Sequence, residues 1–192
     1  MKEEYKIYKS KTIINNFDSI VEECDLLEKE INKKLSLDDG DNVHLMQRYN
    51  VLTRYNVFDY INDKDYPLLY KVYVELTNLV KEYTDGNQYW VHGWMNYDTY
   101  DIVEDTLGKH KHRFVLQGYI AVEPKQTKTI FYDHGYDVEN EIGNIYIGPG
   151  HRWHNVVNTE KYDGNRITFG YDLIEEEPTE GKHLWKKLDY DI

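Results

Sequence analysis

From residue 86 onward the chain falls into short runs of alternating apolar residues, each closed by Gly, Pro, Asn or Asp after roughly 8 to 12 positions. The runs are 89–97, 113–122, 128–132, 143–147, 153–158 and 166–174. Side chains two apart on extended backbone share a face, so each run can give one face to a core and the other to water or a cavity. Strands of this length and spacing predict a β-sandwich or jelly roll.

Upstream the period changes. Ile20, Val21, Cys24, Leu27, Ile31 and Leu35 recur at three-and-four spacing and predict a helix ending near Ser36. Leu69, Val72, Tyr73, Leu76, Leu79, Val80 and Tyr83 predict a second over 66–83, with Pro67 in its first turn. Residues 5–14 predict a short strand. Two helices ahead of the strands would cover one face of a sheet, an α+β arrangement. No Gly/Ser/Pro-rich linker divides the 192 residues, which predicts one domain over 1–192: a helix-rich part at 1–85, a jelly-roll core at 86–174, and an acidic C-terminal extension at 175–192, flexible or helical.

Composition removes several functions. A net charge of −12 disfavours nucleic acid and anionic membranes as partners, since both are met by Lys and Arg, although 109–113 forms a local basic stretch. Cys24 is the only cysteine, so no intrachain disulfide or Cys-based zinc site can form; its setting is a helix face turned inward. No apolar leader or membrane-length run is visible, which predicts a reducing, cytoplasmic setting, the host cytoplasm if the chain is virus-encoded. The 19 tyrosines fit AT-rich coding and ordinary packing. The acidic cluster 38–42 has neither the spacing nor the terminal Glu of an EF-hand and reads as a solvated loop. Phosphate loops and Gly-x-Ser-x-Gly elbows are absent from the sequence.

The residues that carry chemistry lie in the strand-rich half. His154 sits on one predicted strand and Arg166, a fixed positive charge, on the next, with a turn at Asp163-Gly164-Asn165 between them. His110 and His112 are two apart, so both can reach one ion, with His154 closing the site from another strand. Neutral imidazole suits Fe, Zn, Cu and Ni, and three protein ligands with open positions suit a catalytic ion.

In chain order, Trp94-Met95-Asn96, His110-Lys111-His112, Leu116-Gln117-Gly118-Tyr119, Gly143 to Pro149, His154 and Arg166-Ile167-Thr168 resemble the motifs of the iron- and 2-oxoglutarate-dependent oxygenases, in particular the small prolyl-hydroxylase-like branch with many phage-encoded members. The resemblance covers about residues 90 to 173. It implies a double-stranded β-helix, a cupin-like jelly roll with the N-terminal helices packed on one sheet. It also implies an Fe(II)/2-oxoglutarate-dependent dioxygenase that hydroxylates a C–H bond of a small-molecule or peptide substrate. The implied metal ligands are His110, His112 and His154. Arg166 would grip the far carboxylate of 2-oxoglutarate, helped by Thr168, Tyr119 and Asn96. His92, His134, His151 and His183 read as surface or structural, with His134 and His151 as reserve ligands.

One departure bears on activity. The usual triad is two His and one carboxylate, and here His112 stands at the carboxylate position. The third ligand is therefore His112, or a carboxylate such as Asp101 or Asp133, or is absent. Two alternatives stay open: a cupin-like three-His metalloprotein that does not use 2-oxoglutarate, and a catalytically inactive structural or binding module on the same fold. Segments 98–109 and 133–142 are expected at the cavity mouth. The sequence names neither the substrate nor the oligomeric state.

Overall fold

A computed structural model describes residues 5–35, 55–101, 103, 108–133 and 135–192. The acidic cluster 38–42 and His134 lie outside these. The chain begins with strand β1 (Lys6–Lys9), short helix α1 (Lys11–Asn15) and helix α2 (Phe17–Lys34). The strand expected over 5–14 thus ends at Lys9. The Ser10 hydroxyl caps the next turn by accepting from the Ile13 N–H at 3.1 Å, and Thr12 donates to Glu75 at 2.9 Å. A capped first turn outweighs the β-branched run Thr12-Ile13-Ile14.

A 3-10 turn at Val57–Asp59 leads to helix α3 (Pro67–Tyr83), which starts with Pro in its first turn as expected. Seven strands follow before the tail: β2 (Trp90–Asp98), β3 (Leu116–Glu123), β4 (Thr127–Phe131), β5 (Tyr136–Glu139), β6 (Asn144–Pro149), β7 (His154–Asn158) and β8 (Arg166–Ile174). Strand β9 (Lys186–Lys187) closes the set. All pairings are antiparallel, in a six-stranded sheet of order β1-β6-β3-β8-β2-β9 and a three-stranded sheet of order β5-β4-β7.

β5 and β9 differ from expectation. β5 lies within a stretch read as loop, and its four residues carry only two apolar side chains, too short an alternation to register. The tail, expected to be a flexible or helical extension, instead adds a strand beside β2 and buries Leu188. Asn56 pins it by donating to the carbonyls of Val91 (2.8 Å) and Leu184 (3.0 Å). The tail thereby covers a sheet edge that would otherwise present unpaired backbone groups.

The six-stranded sheet has two unlike faces. Val91, Met95, Ile120, Val122, Ile145, Ile147, Ile167, Phe169, Tyr171 and Leu173 form one buried cluster with Ile20, Leu27 and Ile31 of α2 and Leu69, Val72 and Leu76 of α3. Cys24 is buried in the same cluster, and burial pushes its thiol well above the ordinary value, so it packs as a small apolar group. On the opposite face, the second sheet packs through Phe131 and Val138 against Tyr146. Among the described residues, no helix is long and apolar enough to cross a membrane.

Candidate metal centre

Register arranges the inner face in rows. Arg166 lies across from Asp98, Thr168 from Asn96, Gly170 from Trp94 and Tyr119, and Asp172 from Gln117. Alternation keeps Arg166, Thr168, Gly170 and Asp172 on one side of β8, turned away from the apolar cluster that holds Ile167, Phe169, Tyr171 and Leu173. Six residues of strand separate Arg166 from Asp172, about 20 Å.

At the Asp172 end, residues 108–115 run beside the β6–β7 corner. His110 and His154 exchange both backbone hydrogen bonds, at 2.9 and 2.8 Å; His112 N–H donates to Gly150 (2.9 Å), and Gly150 N–H donates to Val115 (3.1 Å). This approach requires glycine at position 150, because a Cβ there would sit 2.1 Å from the Phe114 carbonyl oxygen. Lys109 and Lys111 then point to the opposite side, over the rings of Tyr132 and Trp153. His110 and His112 turn toward His154.

The three imidazoles each offer a ligand atom within 4.8 Å of the others, and the cluster runs from exposed His110 to more buried His154. Ring centroids lie 4.4 Å apart for His110 and His154, 5.2 Å for His112 and His154 and 5.3 Å for His110 and His112. In each ring Nδ1 already has a partner. His110 Nδ1 is 2.8 Å from the Gly108 carbonyl, His154 Nδ1 is 3.0 Å from the Arg152 carbonyl, and His112 Nδ1 is 2.5 Å from Asp172 Oδ1. With Nδ1–H donating to these acceptors, Nε2 is the lone-pair nitrogen left on all three rings. Carbonyls and carboxylates in this position are the usual outer partners of metal-binding histidines, fixing tautomer and ring orientation.

For His110 and His154 the electrostatics favour the neutral ring. Burial, with His110 and His112 adding to it, pushes His154 down to about 3 against the pull of the Arg152 carbonyl. Burial also lowers His110, against the Gly108 carbonyl. Both rings are neutral near pH 7, the form that binds a metal. Three imidazoles, each with its Nδ1 occupied, fit a divalent first-row ion.

The structure brings His110, His112 and His154 together and leaves the other candidates apart. Asp101 is exposed and outside the cluster. Asp133 accepts from the Trp153 N–H at 2.9 Å and is likewise outside it. His151 and His183 are exposed; His92 sits 3.3 Å from the Tyr55 carbonyl, between the rings of Trp94 and Trp185. The carboxylate missing from the His112 position reappears behind that ring, as Asp172. Asp172 and Gln117, whose side-chain amide lies 3.3 Å from His154 Nδ1, escaped the sequence reading. Their signal was present: each is a polar residue in inward phase with Arg166 and Tyr119 on an otherwise apolar strand.

At the other end of the face, Arg166 is 3% exposed and its Nη1 lies 3.4 Å from Asp98 Oδ2. Burial lowers the Arg166 guanidinium, with Asp98 opposing. Asn96 donates to the Thr168 hydroxyl at 3.0 Å. Buried atoms here without a hydrogen-bond partner among the described residues include Arg166 Nε and Asn96 Oδ1. Burial pushes the Tyr119 hydroxyl far up, while Thr129 and Arg166 act in the other direction. All four residues expected to hold a co-substrate therefore lie on one polar surface between the sheets, with Arg166 Nε and Asn96 Oδ1 among its unused hydrogen-bonding groups. Trp94 bridges the two ends: its ring stacks on His112 at 5.9 Å and lies across Gly170.

No family model matches this chain, and no curated protein matches it significantly. Among solved structures it is similar to a non-heme monooxygenase, ThoJ, in its nickel complex, with a TM-score of 0.50 and 11% identity over 88% of this chain and 73% of that one. It is also similar, with a TM-score of 0.40 and 9% identity, to a full-length Neurospora crassa protein in complex with alpha-KG and 5-formyluracil, over 65% of this chain and 56% of that one. At these identities the likeness is one of fold: an α/β chain with antiparallel sheets, shared with a non-heme monooxygenase.

Proposed function

We propose that the chain is an Fe(II)/2-oxoglutarate-dependent dioxygenase that hydroxylates a C–H bond of a small-molecule or peptide substrate, with its two sheets forming a double-stranded β-helix. The observation that carries this reading is the convergence of His110, His112 and His154 with every Nδ1 engaged. Iron bound there together with a 2-oxo acid would supply the oxygen activation that hydroxylation needs. His154 and His112 anchor the site through the Arg152 carbonyl and Asp172. His110, on the exposed side, marks where substrate can approach. Arg166, Thr168, Asn96 and Tyr119 offer donors to a carboxylate held deeper between the sheets.

A second reading is a cupin-like three-His metalloprotein that does not use 2-oxoglutarate. Two observations favour it: the cluster contains no carboxylate, and Asp98 already balances the charge of Arg166. Anaerobic titration with Fe(II), with and without 2-oxoglutarate, separates the readings. The oxygenase predicts a weak visible charge-transfer band that needs both components and disappears in His154→Ala. Metal binding without the band favours the three-His alternative, and no metal binding leaves a structural or binding module.

A further inference from the structure

Two buried arginines approach the space between the sheets, and only Arg166 has an acidic partner. Arg152 is 3% exposed, yet no carboxylate among the described residues pairs with it. Its Nη1 donates to the Tyr136 hydroxyl at 2.5 Å, its guanidinium lies 5.7 Å from the centre of that ring, and its Nε has no partner. Tyr136 stacks on Phe131, the Tyr136 and Tyr146 hydroxyls are 3.3 Å apart, and Phe131 packs against His154. The Arg152 carbonyl is also what His154 Nδ1 bonds to. A permanently charged group is thus held among aromatic rings beside a candidate metal ligand, with one hydrogen-bond acceptor among the described residues for five N–H donors.

Such a group is costly for a fold to bury alone and is ordinarily paired. We infer that Arg152 anchors a carboxylate of the ligand that enters the site, with the planar guanidinium taking it side-on and Tyr136 holding the anchor from its other edge. The ligand class is a small carboxylate, supplied either by the 2-oxo acid or by the substrate. The site follows from Arg152 and its surroundings; it rests on the proposed function only for the placement of that ligand next to an ion.

Thermal unfolding of the metal-free chain in chloride, acetate, succinate and 2-oxoglutarate at matched ionic strength tests the inference. A ligand that binds only the folded state raises Tm as its concentration rises. The carboxylates should raise the Tm of the wild type above its value in chloride. Arg152→Met should lose that rise while melting in chloride at or above the wild type, because an unpaired buried charge has been removed. Arg113→Met, at an exposed arginine, should keep the rise. No carboxylate-dependent rise in the wild type, or a full rise in Arg152→Met, overturns the inference, as does an Arg152→Met Tm in chloride well below wild type, which would make the charge part of the fold. If Arg152→Met does not fold, Arg152→Lys decides: it keeps the charge without the fork and should show less than half the rise, and a full rise overturns the site.

Adding Ni(II) identifies the source of the carboxylate. A rise that is specific to 2-oxoglutarate and grows with metal assigns the anchor to the co-substrate, whereas a rise common to all three carboxylates and indifferent to metal assigns it to a substrate carboxylate. Loss of the Fe(II)/2-oxoglutarate band with the Arg152-dependent rise intact would defeat the proposed co-substrate and leave this inference standing.

Discussion

On β8, Ile167, Phe169, Tyr171 and Leu173 face α2 and α3, while Arg166, Thr168, Gly170 and Asp172 face the second sheet. The same nine residues of backbone therefore serve two surfaces with different physics. The outer one gains from non-directional burial and tolerates many apolar sequences of similar volume. The inner one is directional: each buried polar atom needs a partner, and those without one, such as Arg166 Nε and Arg152 Nε, weaken the fold unless a ligand completes them. The outer face accounts for stability, and the unfinished bonds of the inner face are what a binding site requires.

The comparison is tested most severely on the outer side. Phe169 is 1% exposed, and Phe169→Ala should cost about 3–5 kcal/mol in denaturant unfolding, through lost burial and an unfilled cavity. A cost below about 1 kcal/mol would mean that the helices do not depend on this face.

Next in size is Asp172, which orients His112 without joining the cluster. Asp172→Asn should weaken metal affinity by about 10–100-fold in calorimetric titration, since outer partners of ligating histidines typically contribute that much. An unchanged affinity would show that the His112–Asp172 bond does not position the ring. Thr168→Val should be milder still, costing about 1 kcal/mol of stability for the hydrogen bond lost with Asn96. If it also weakens 2-oxoglutarate binding, the deeper end of the face belongs to the ligand site.

The two faces were unequally legible. Period-2 and period-3.6 patterns place α2, α3, β2, β6, β7 and β8 to within a few residues, because hydrophobic burial writes itself into every second or every third and fourth position. The same alternation brings His110 and His112 to one side, and the bridge to His154 adds the third ring. Position 11–15 failed because a single Ser10 cap decided the local structure. β9 failed because its place depends on Asn56, more than a hundred residues away. Arg152 was illegible for another reason: it precedes β7 in a turn, where no periodicity reports which way a side chain points. Asp172 was readable from its phase on β8 and was passed over because the surrounding run looked like core.

The smallest effect offers the sharpest check on whether the two sides of one strand are independent. Lys111 lies between two candidate ligands, and its ammonium sits 5.3 Å from the centre of the Trp153 ring. Exposed cation–π contacts contribute about 0.5–1 kcal/mol, so Lys111→Ala should cost no more than that in stability. The backbone bonds of His110 to His154 and of His112 to Gly150 do not involve the Lys111 side chain, so metal affinity should remain within about twofold, well short of the 10–100-fold expected when an outer partner of a ligand is removed. A loss as large as that of Asp172→Asn would mean that Lys111 and Trp153 hold the 108–115 segment in register. The histidines would then owe their convergence to a surface contact, and the inner face could not be treated as a site built by strand pairing alone.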